Sequence, residues 1–160
     1  MKILGVDPGT ARLGWGVLEY TDNKFKVWGC GCIQTKSTQA DAERLFYISE
    51  KLEKIIKKYK PEIVAVEELF FSKNIKTAIS VAQARGVILS IAYKHNLEIK
   101  EYKPTQVKQA VTGVGNASKE QVQKMVQIVL NLKQIPKLDD TADALACAIA
   151  ACSNQPIIDN

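Results

Sequence analysis

Four carboxylates stand where they could act together. Asp7 ends the apolar run 2–6, Glu67 ends the run Ile63-Val64-Ala65-Val66, and Asp140 and Asp143 lie three apart near the C-terminus. If the two runs are adjacent parallel strands, Asp7 and Glu67 emerge at one sheet edge, where open α/β sheets place ligand sites. On a helix, residues three apart share a face, so a helix crossing that edge would gather all four acids. Two full charges about 4 Å apart repel by about 4 kcal/mol at an effective dielectric of about 20. Such a cluster must take up protons or bind a hard cation. Oxygen-only donors suit Mg²⁺ or Mn²⁺ better than zinc. Two such ions about 3.5–4 Å apart can activate a water and stabilise the leaving oxygen of a phosphodiester. Singly, each acid has a plainer role. Asp7 could shape the turn Asp7-Pro8-Gly9-Thr10, Glu67 could be a strand-end charge, and Asp140 and Asp143 could cap a helix or favour its dipole. The combination points to a site.

The elements that must position these acids are legible as patterns. Residues 2–6, 13–19 and 25–33 read as an antiparallel meander, with Thr21-Asp22-Asn23 as its second turn. A helix over 40–59 places Leu45, Ile48, Leu52, Ile55 and Tyr59 on one stripe, and Pro61 stops it. The continuous apolar run 63–66 suits a parallel strand covered on both faces. A helix over 74–94, a strand over 97–102, a short helical segment over 105–111 and a helix opened by the capping box Ser118-Lys119-Glu120-Gln121 follow. The final helix spans 139–152. The order βββαβαβαα, with 105–111 as a further short segment, predicts an α/β fold: a five-stranded mixed sheet with helices on both faces.

The chain has 160 residues, which predicts one domain over 1–160, its last few residues a tail. Hydrophobic residues make up 46% and charged residues 24%, which excludes extensive disorder. No uncharged apolar run reaches the roughly 18 residues of a membrane span, and Asp7 interrupts the first run too early for a signal peptide. A cytoplasmic protein is the expectation. Lysine and arginine exceed aspartate and glutamate by 22 to 17, a net charge of +5 compatible with a nucleic-acid partner. Cys30, Cys32, Cys147 and Cys152, with His95 as the single histidine, offer no zinc-like spacing; reduced, buried thiols are expected.

Four segments then carry a resemblance. Gly5-Val6-Asp7-Pro8-Gly9, Ala65-Val66-Glu67-Glu68-Leu69-Phe70, Gln83-Ala84-Arg85-Gly86 and Asp140-Thr141-Ala142-Asp143-Ala144-Leu145 occur in the order seen in the RuvC family of bacterial Holliday-junction resolvases. The chain resembles that family over nearly its whole length. The resemblance implies an RNase H-like fold, a homodimer, and Mg²⁺-dependent cutting of two strands of a four-way DNA junction in recombination and repair, in company with the branch-migration proteins RuvA and RuvB. It implies Asp7, Glu67, Asp140 and Asp143 as catalytic carboxylates and metal ligands, Asp7 bridging both ions. Asp140 matches a position that relatives fill with Asp or His, so it is either a direct ligand or a water-positioning base. Glu68 then lies behind the site or on the surface, because adjacent strand residues point oppositely. Lys108 and Lys119 resemble basic residues near the scissile phosphate. Phe70 resembles an aromatic that lies against bases at the junction centre, where stacking contributes about 1–3 kcal/mol per base; Phe71 is assigned to the core. Ser80 departs from the family, where many relatives carry lysine.

Other readings are weaker. Gly113-Val114-Gly115-Asn116-Ala117-Ser118-Lys119 lacks the glycine before lysine and the following Ser/Thr of a nucleotide-binding P-loop. Actin-like ATPases share the Asp-Pro-Gly-Thr turn but need two large lobes. A catalytically silent junction-binding module would require a broken acidic set. A four-way junction presents two related strands, so a C₂ dimer supplies the two sites required. The apolar side of helix 74–94 is a candidate interface, although Ile79, Ala82 and Leu89 could equally pack on the sheet.

Overall fold

The computed structural model describes residues 1–68, 75–136 and 138–152. Three antiparallel strands, β1 (Lys2–Asp7), β2 (Arg12–Thr21) and β3 (Lys24–Gln34), come first. Between β2 and β3, Asp22 and Asn23 both take positive φ, 52° and 60°, as a tight hairpin turn requires. Then follow α1 (Asp41–Tyr59), β4 (Ile63–Glu67), α2 (Ile75–Lys94), β5 (Glu98–Tyr102), α3 (Pro104–Thr112), α4 (Lys119–Val129) and α5 (Asp139–Cys152). The first of the three helices after β5 is the short segment expected over 105–111: Pro104 sets the first turn of α3 and Gly113, at φ 79°, closes it. Lys60, at φ 50°, ends α1 just before Pro61.

The sheet order is β3-β2-β1-β4-β5, with β1 parallel to β4 and β4 parallel to β5. Helices cover both faces, as the pattern predicts. Alternation along the strands divides the core. Leu4, Val6, Leu13, Val17, Val64 and Val66 pack under α1 and α2, while Ile3, Ile63 and Ala65 pack under α3, α4 and α5. By the same parity, Asp7 and Glu67 fall on the face covered by α3–α5.

Several sequence expectations are refined. The buried stripe of α1 is Ile48, Leu52 and Ile56; Leu45, Ile55 and Tyr59 are only half-buried. On α2, Ala84, Ile88, Ile91 and Ala92 pack on the sheet, whereas Ile79 (55% exposed) and Ala82 face outward and Leu89 is half-buried. Cys147 and Cys152 are buried free thiols as expected, but Cys30 is exposed because β3 is an edge strand. Phe70 and Phe71 lie outside the described residues.

Candidate active site

Three strand glycines decide where α5 runs. A Cβ on Gly5 would strike the carbonyl oxygen of Ala144, one on Gly14 the carbonyl oxygen of Asp140, and one on Gly16 the side chain of Leu145. The helix therefore lies directly on β1 and β2, closer than side chains at those positions would allow. Its small residues, Ala142 to Ala151, are buried almost all round. Gly14 is the ladder partner of Asp7, so the backbone of Asp140 sits across from Asp7. Asp143, one turn on, falls beside Lys119 at the start of α4. That start is set by reciprocal capping: Gln121 N–H donates to Ser118 Oγ (3.3 Å) and Ser118 N–H to Gln121 Oε1 (2.8 Å). From the other strand, Val66 is the parallel partner of Val6, which brings Glu67 beside Asp7.

The electrostatics record this meeting. Burial, then the negative charges of Asp143, Glu67 and Asp140, push the Asp7 carboxyl up from an ordinary value of 3.8 to about 8. Glu67 is raised by burial and Asp143, against the pull of Lys108 and Lys119. Asp143 is raised by burial, with Lys119 opposing. Lys119 Nζ lies 3.2 Å from Asp143 Oδ2 and 3.4 Å from Asp139 Oδ2. Partial burial pulls Lys119 down, but those two carboxylates outweigh it and hold the ammonium above its ordinary value. Lys108 and Lys119 share with Glu67 and Asp143 a pocket of about 220 Å³ floored by Val107, Val122 and Cys147.

The acids face one another without closing up: among the described residues no three His, Cys, Asp or Glu side chains form a ready cage. Asp140 Oδ2 is buried and lacks a hydrogen-bond donor, although Arg12 Nε lies 3.3 Å away. The contact is charge pairing without hydrogen-bond geometry. Three acids pushed up by burial and by one another's charge, with a buried carboxylate oxygen lacking a donor, fit a hard divalent cation.

Of the residues singled out from sequence, Asp7, Glu67, Asp140, Asp143, Lys108 and Lys119 come to this edge, and Phe70 lies outside the described residues. Glu68, half-buried, follows β4 with its N–H on Tyr102 O (2.8 Å). Ser80 meets the turn after Asp7: Thr10, buried, donates to Ser80 O (2.9 Å), and the two hydroxyls are in contact. Sequence reasoning missed Arg12, Asp139 and the three glycines. Arg12 has no signal beyond lying five residues after Asp7. Glycines inside the apolar runs were the available sign of a close approach.

A β3-β2-β1-β4-β5 mixed sheet with helices on both faces defines the RNase H-like fold class, with an acidic site at the end of its central strands. The family model described as "Crossover junction endodeoxyribonuclease RuvC" matches residues 3–151. Among curated relatives, the crossover junction endodeoxyribonuclease RuvC of Alkaliphilus oremlandii is 55% identical over 93% of this chain and 91% of its own. That of Caldanaerobacter subterraneus is 50% identical over 99% of this chain and 96% of its own. Among solved structures, T. thermophilus RuvC in complex with Holliday junction substrate is 35% identical, with a TM-score of 0.90 over 95% of this chain and 93% of that one. The chain belongs to the RuvC family, and is an endodeoxyribonuclease.

Proposed function

We propose that this protein resolves four-way DNA junctions by paired symmetrical nicks, using two Mg²⁺ ions, with Mn²⁺ as a possible substitute. The observation that carries this reading is the gathering of Asp7, Glu67, Asp140 and Asp143 at one sheet edge beside Lys108 and Lys119. Asp7, Glu67, Asp140 and Asp143 would hold the metal. Bound there, Mg²⁺ supplies charge that lowers the pKa of water and stabilises the departing oxygen. Asp7, whose carboxyl interacts with the other three, would be the central ligand of the set. Asp140 either ligates or orients the attacking water, with Arg12 holding its carboxylate. Lys119 and Lys108 take the scissile phosphate, and Asp139 parks the Lys119 ammonium until DNA arrives. Water oxygen bonds to phosphorus as the bond to the 3′ oxygen breaks, leaving a 5′-phosphate and a 3′-hydroxyl.

Residues 1–160 act as one nuclease unit and pair as a homodimer. The outward line of Ile79, Ala82 and Gly86 on α2 supports this, since Gly86 has open space around it and admits a close neighbour. Partnership with RuvA and RuvB and work in the cytoplasm complete the reading; among the described residues no helix is long and apolar enough to cross a membrane.

The test is incubation of a labelled four-way junction, linear duplex and single strand, with and without Mg²⁺. Symmetrical nicking of the junction alone, only with metal, is expected; cutting of all three substrates alike would leave a general nuclease. Lys119→Ala is expected to slow junction cleavage about 10–100-fold, the scale of a lost hydrogen bond to a charged group. The slope of log affinity against log salt should fall by about 1; an unchanged rate and slope would return Lys119 to the solvated surface. Phe70→Ala is expected to impair junction cleavage with little change in melting temperature, whereas a large thermal loss would place the ring in the core.

A further inference from the structure

A groove of about 560 Å³ runs between α1 and the β3 edge of the sheet. Its floor includes Trp15 and Tyr59, with ring centroids 5.9 Å apart, and its wall includes Tyr47, 37% exposed. Lys51, Lys54 and Lys58 line it from α1, and no acidic residue does among the described residues. None of the three lysines has an ion-pair partner among the described residues. The one nearby acid on that helix with bound cations, Glu53, is taken by Lys57 (3.3 Å) and Lys94 (2.7 Å). Instead, Lys51 Nζ lies 5.1 Å from the Tyr47 ring centroid and Lys58 Nζ 4.7 Å from that of Tyr59. Cations and rings therefore line one trough together.

Trp15 packs with the α1–α2 side of the sheet, so the trough lies on the face opposite the acids. Gln34 lines it and is the ladder partner of Arg12, whose guanidinium lies 3.3 Å from Asp140 Oδ2. Along α1, Lys51 and Lys58 are seven residues apart, about 10 Å at 1.5 Å per residue. Duplex DNA keeps its bases paired and offers nothing to the rings; a single strand offers both phosphates for the lysines and bases for Tyr47, Trp15 and Tyr59.

We propose that this groove is a second DNA site, which holds a short unpaired strand by its phosphates on Lys51, Lys54 and Lys58 and by base stacking on Tyr47. It rests on the reading of the protein as a DNA enzyme but not on the roles given to the acids.

The test is titration of a short labelled oligothymidylate into the full chain in EDTA, where no cutting occurs, across a range of salt. The Lys51→Ala/Lys54→Ala/Lys58→Ala variant is expected to bind at least about tenfold more weakly, with a salt slope smaller by about 2, from about 0.7 per single-strand phosphate. A control losing the same charge elsewhere, Lys24→Ala/Lys36→Ala/Lys133→Ala, should bind nearly as the parent does. Tyr47→Ala should weaken oligothymidylate binding about fivefold or more and leave linear duplex binding unchanged. Equal losses in the two triple variants would reduce the effect to general charge and overturn the proposal. So would an unaltered affinity, or a Tyr47→Ala variant that binds single strand as before. Circular dichroism melts of each variant confirm that it is folded at the titration temperature. Failure here leaves the acidic site untouched, because that site is tested by metal-dependent cleavage.

Discussion

Asp7→Asn is expected to lower junction cleavage by about 10³-fold or more, on the scale of removing a group that stabilises transition-state charge. Junction binding in EDTA should be nearly unchanged, since Asp7 makes no phosphate contact in the proposed arrangement. The same substitution should make the metal-free protein more stable at neutral pH, for an electrostatic reason. Asp7 holds its proton up to about pH 8 in the folded state, against 3.8 ordinarily. Between those values the folded chain binds more protons than the unfolded one, so stability falls as pH rises through that interval. Glu67 and Asp143 shift in the same direction and add to the fall. A divalent cation replaces the proton and should recover the loss, by about 2.7 kcal/mol at a hundredfold excess over its dissociation constant. Melting curves in EDTA and in Mg²⁺ at mildly acidic and mildly basic pH separate these effects. The parent should lose stability with rising pH in EDTA and regain it in Mg²⁺; Asp7→Asn should show both trends weakened. A metal-free parent equally stable at both pH values would mean that the acids do not crowd one another, and normal cutting by Asp7→Asn would remove Asp7 from the mechanism.

Gly14→Ala should be the most damaging single methyl group that can be added to the sheet. The new Cβ would collide with the carbonyl oxygen of Asp140, which belongs to the first turn of α5 and cannot swing aside as a side chain would. Overpacking of this kind costs about 1–3 kcal/mol. Relief requires α5 to lift from β2, which carries Asp140 and Asp143 away from Asp7. A fall in melting temperature together with a disproportionate loss of cleavage, measured well below the melting transition, is the expected outcome. Gly5→Ala should act similarly, through the Ala144 carbonyl. A Gly14→Ala protein that melts and cuts like the parent would mean that α5 does not rest on the glycine. The deeper consequence is that the spacing of the acids is held by backbone contact, with no linker to absorb error.

Much of this was readable in order of increasing range. The meander, the hairpin turn at Asp22-Asn23, the Ser118 capping box and the α1 stripe are local patterns, decided within a few residues by alternation, capping and turn chemistry. The spacing misplaces the stripe at its edge: Ile56 is buried while Leu45, Ile55 and Tyr59 are half-buried, because several registers of a long amphipathic helix satisfy the same spacing. The exposure of Cys30 was missed for a different reason. An alternating apolar strand looks the same at the edge of a sheet as in its middle, and only strand order distinguishes them. Arg12 and Asp139 were invisible as partners, since a charge seen in sequence carries no sign of which opposite charge it will meet.

The amino-acid order by itself determined the element types, the four carboxylates and their placement at the ends of strands and the start of a helix. It also carried the family likeness, because those features are local and survive as motifs. The tertiary structure alone decided that α5 lies on Gly5, Gly14 and Gly16, that Lys119 reaches Asp143, and that an aromatic, lysine-lined trough opens on the opposite face. Those outcomes depend on where distant backbones meet, and no short-range preference encodes the approach of residue 140 to residue 14.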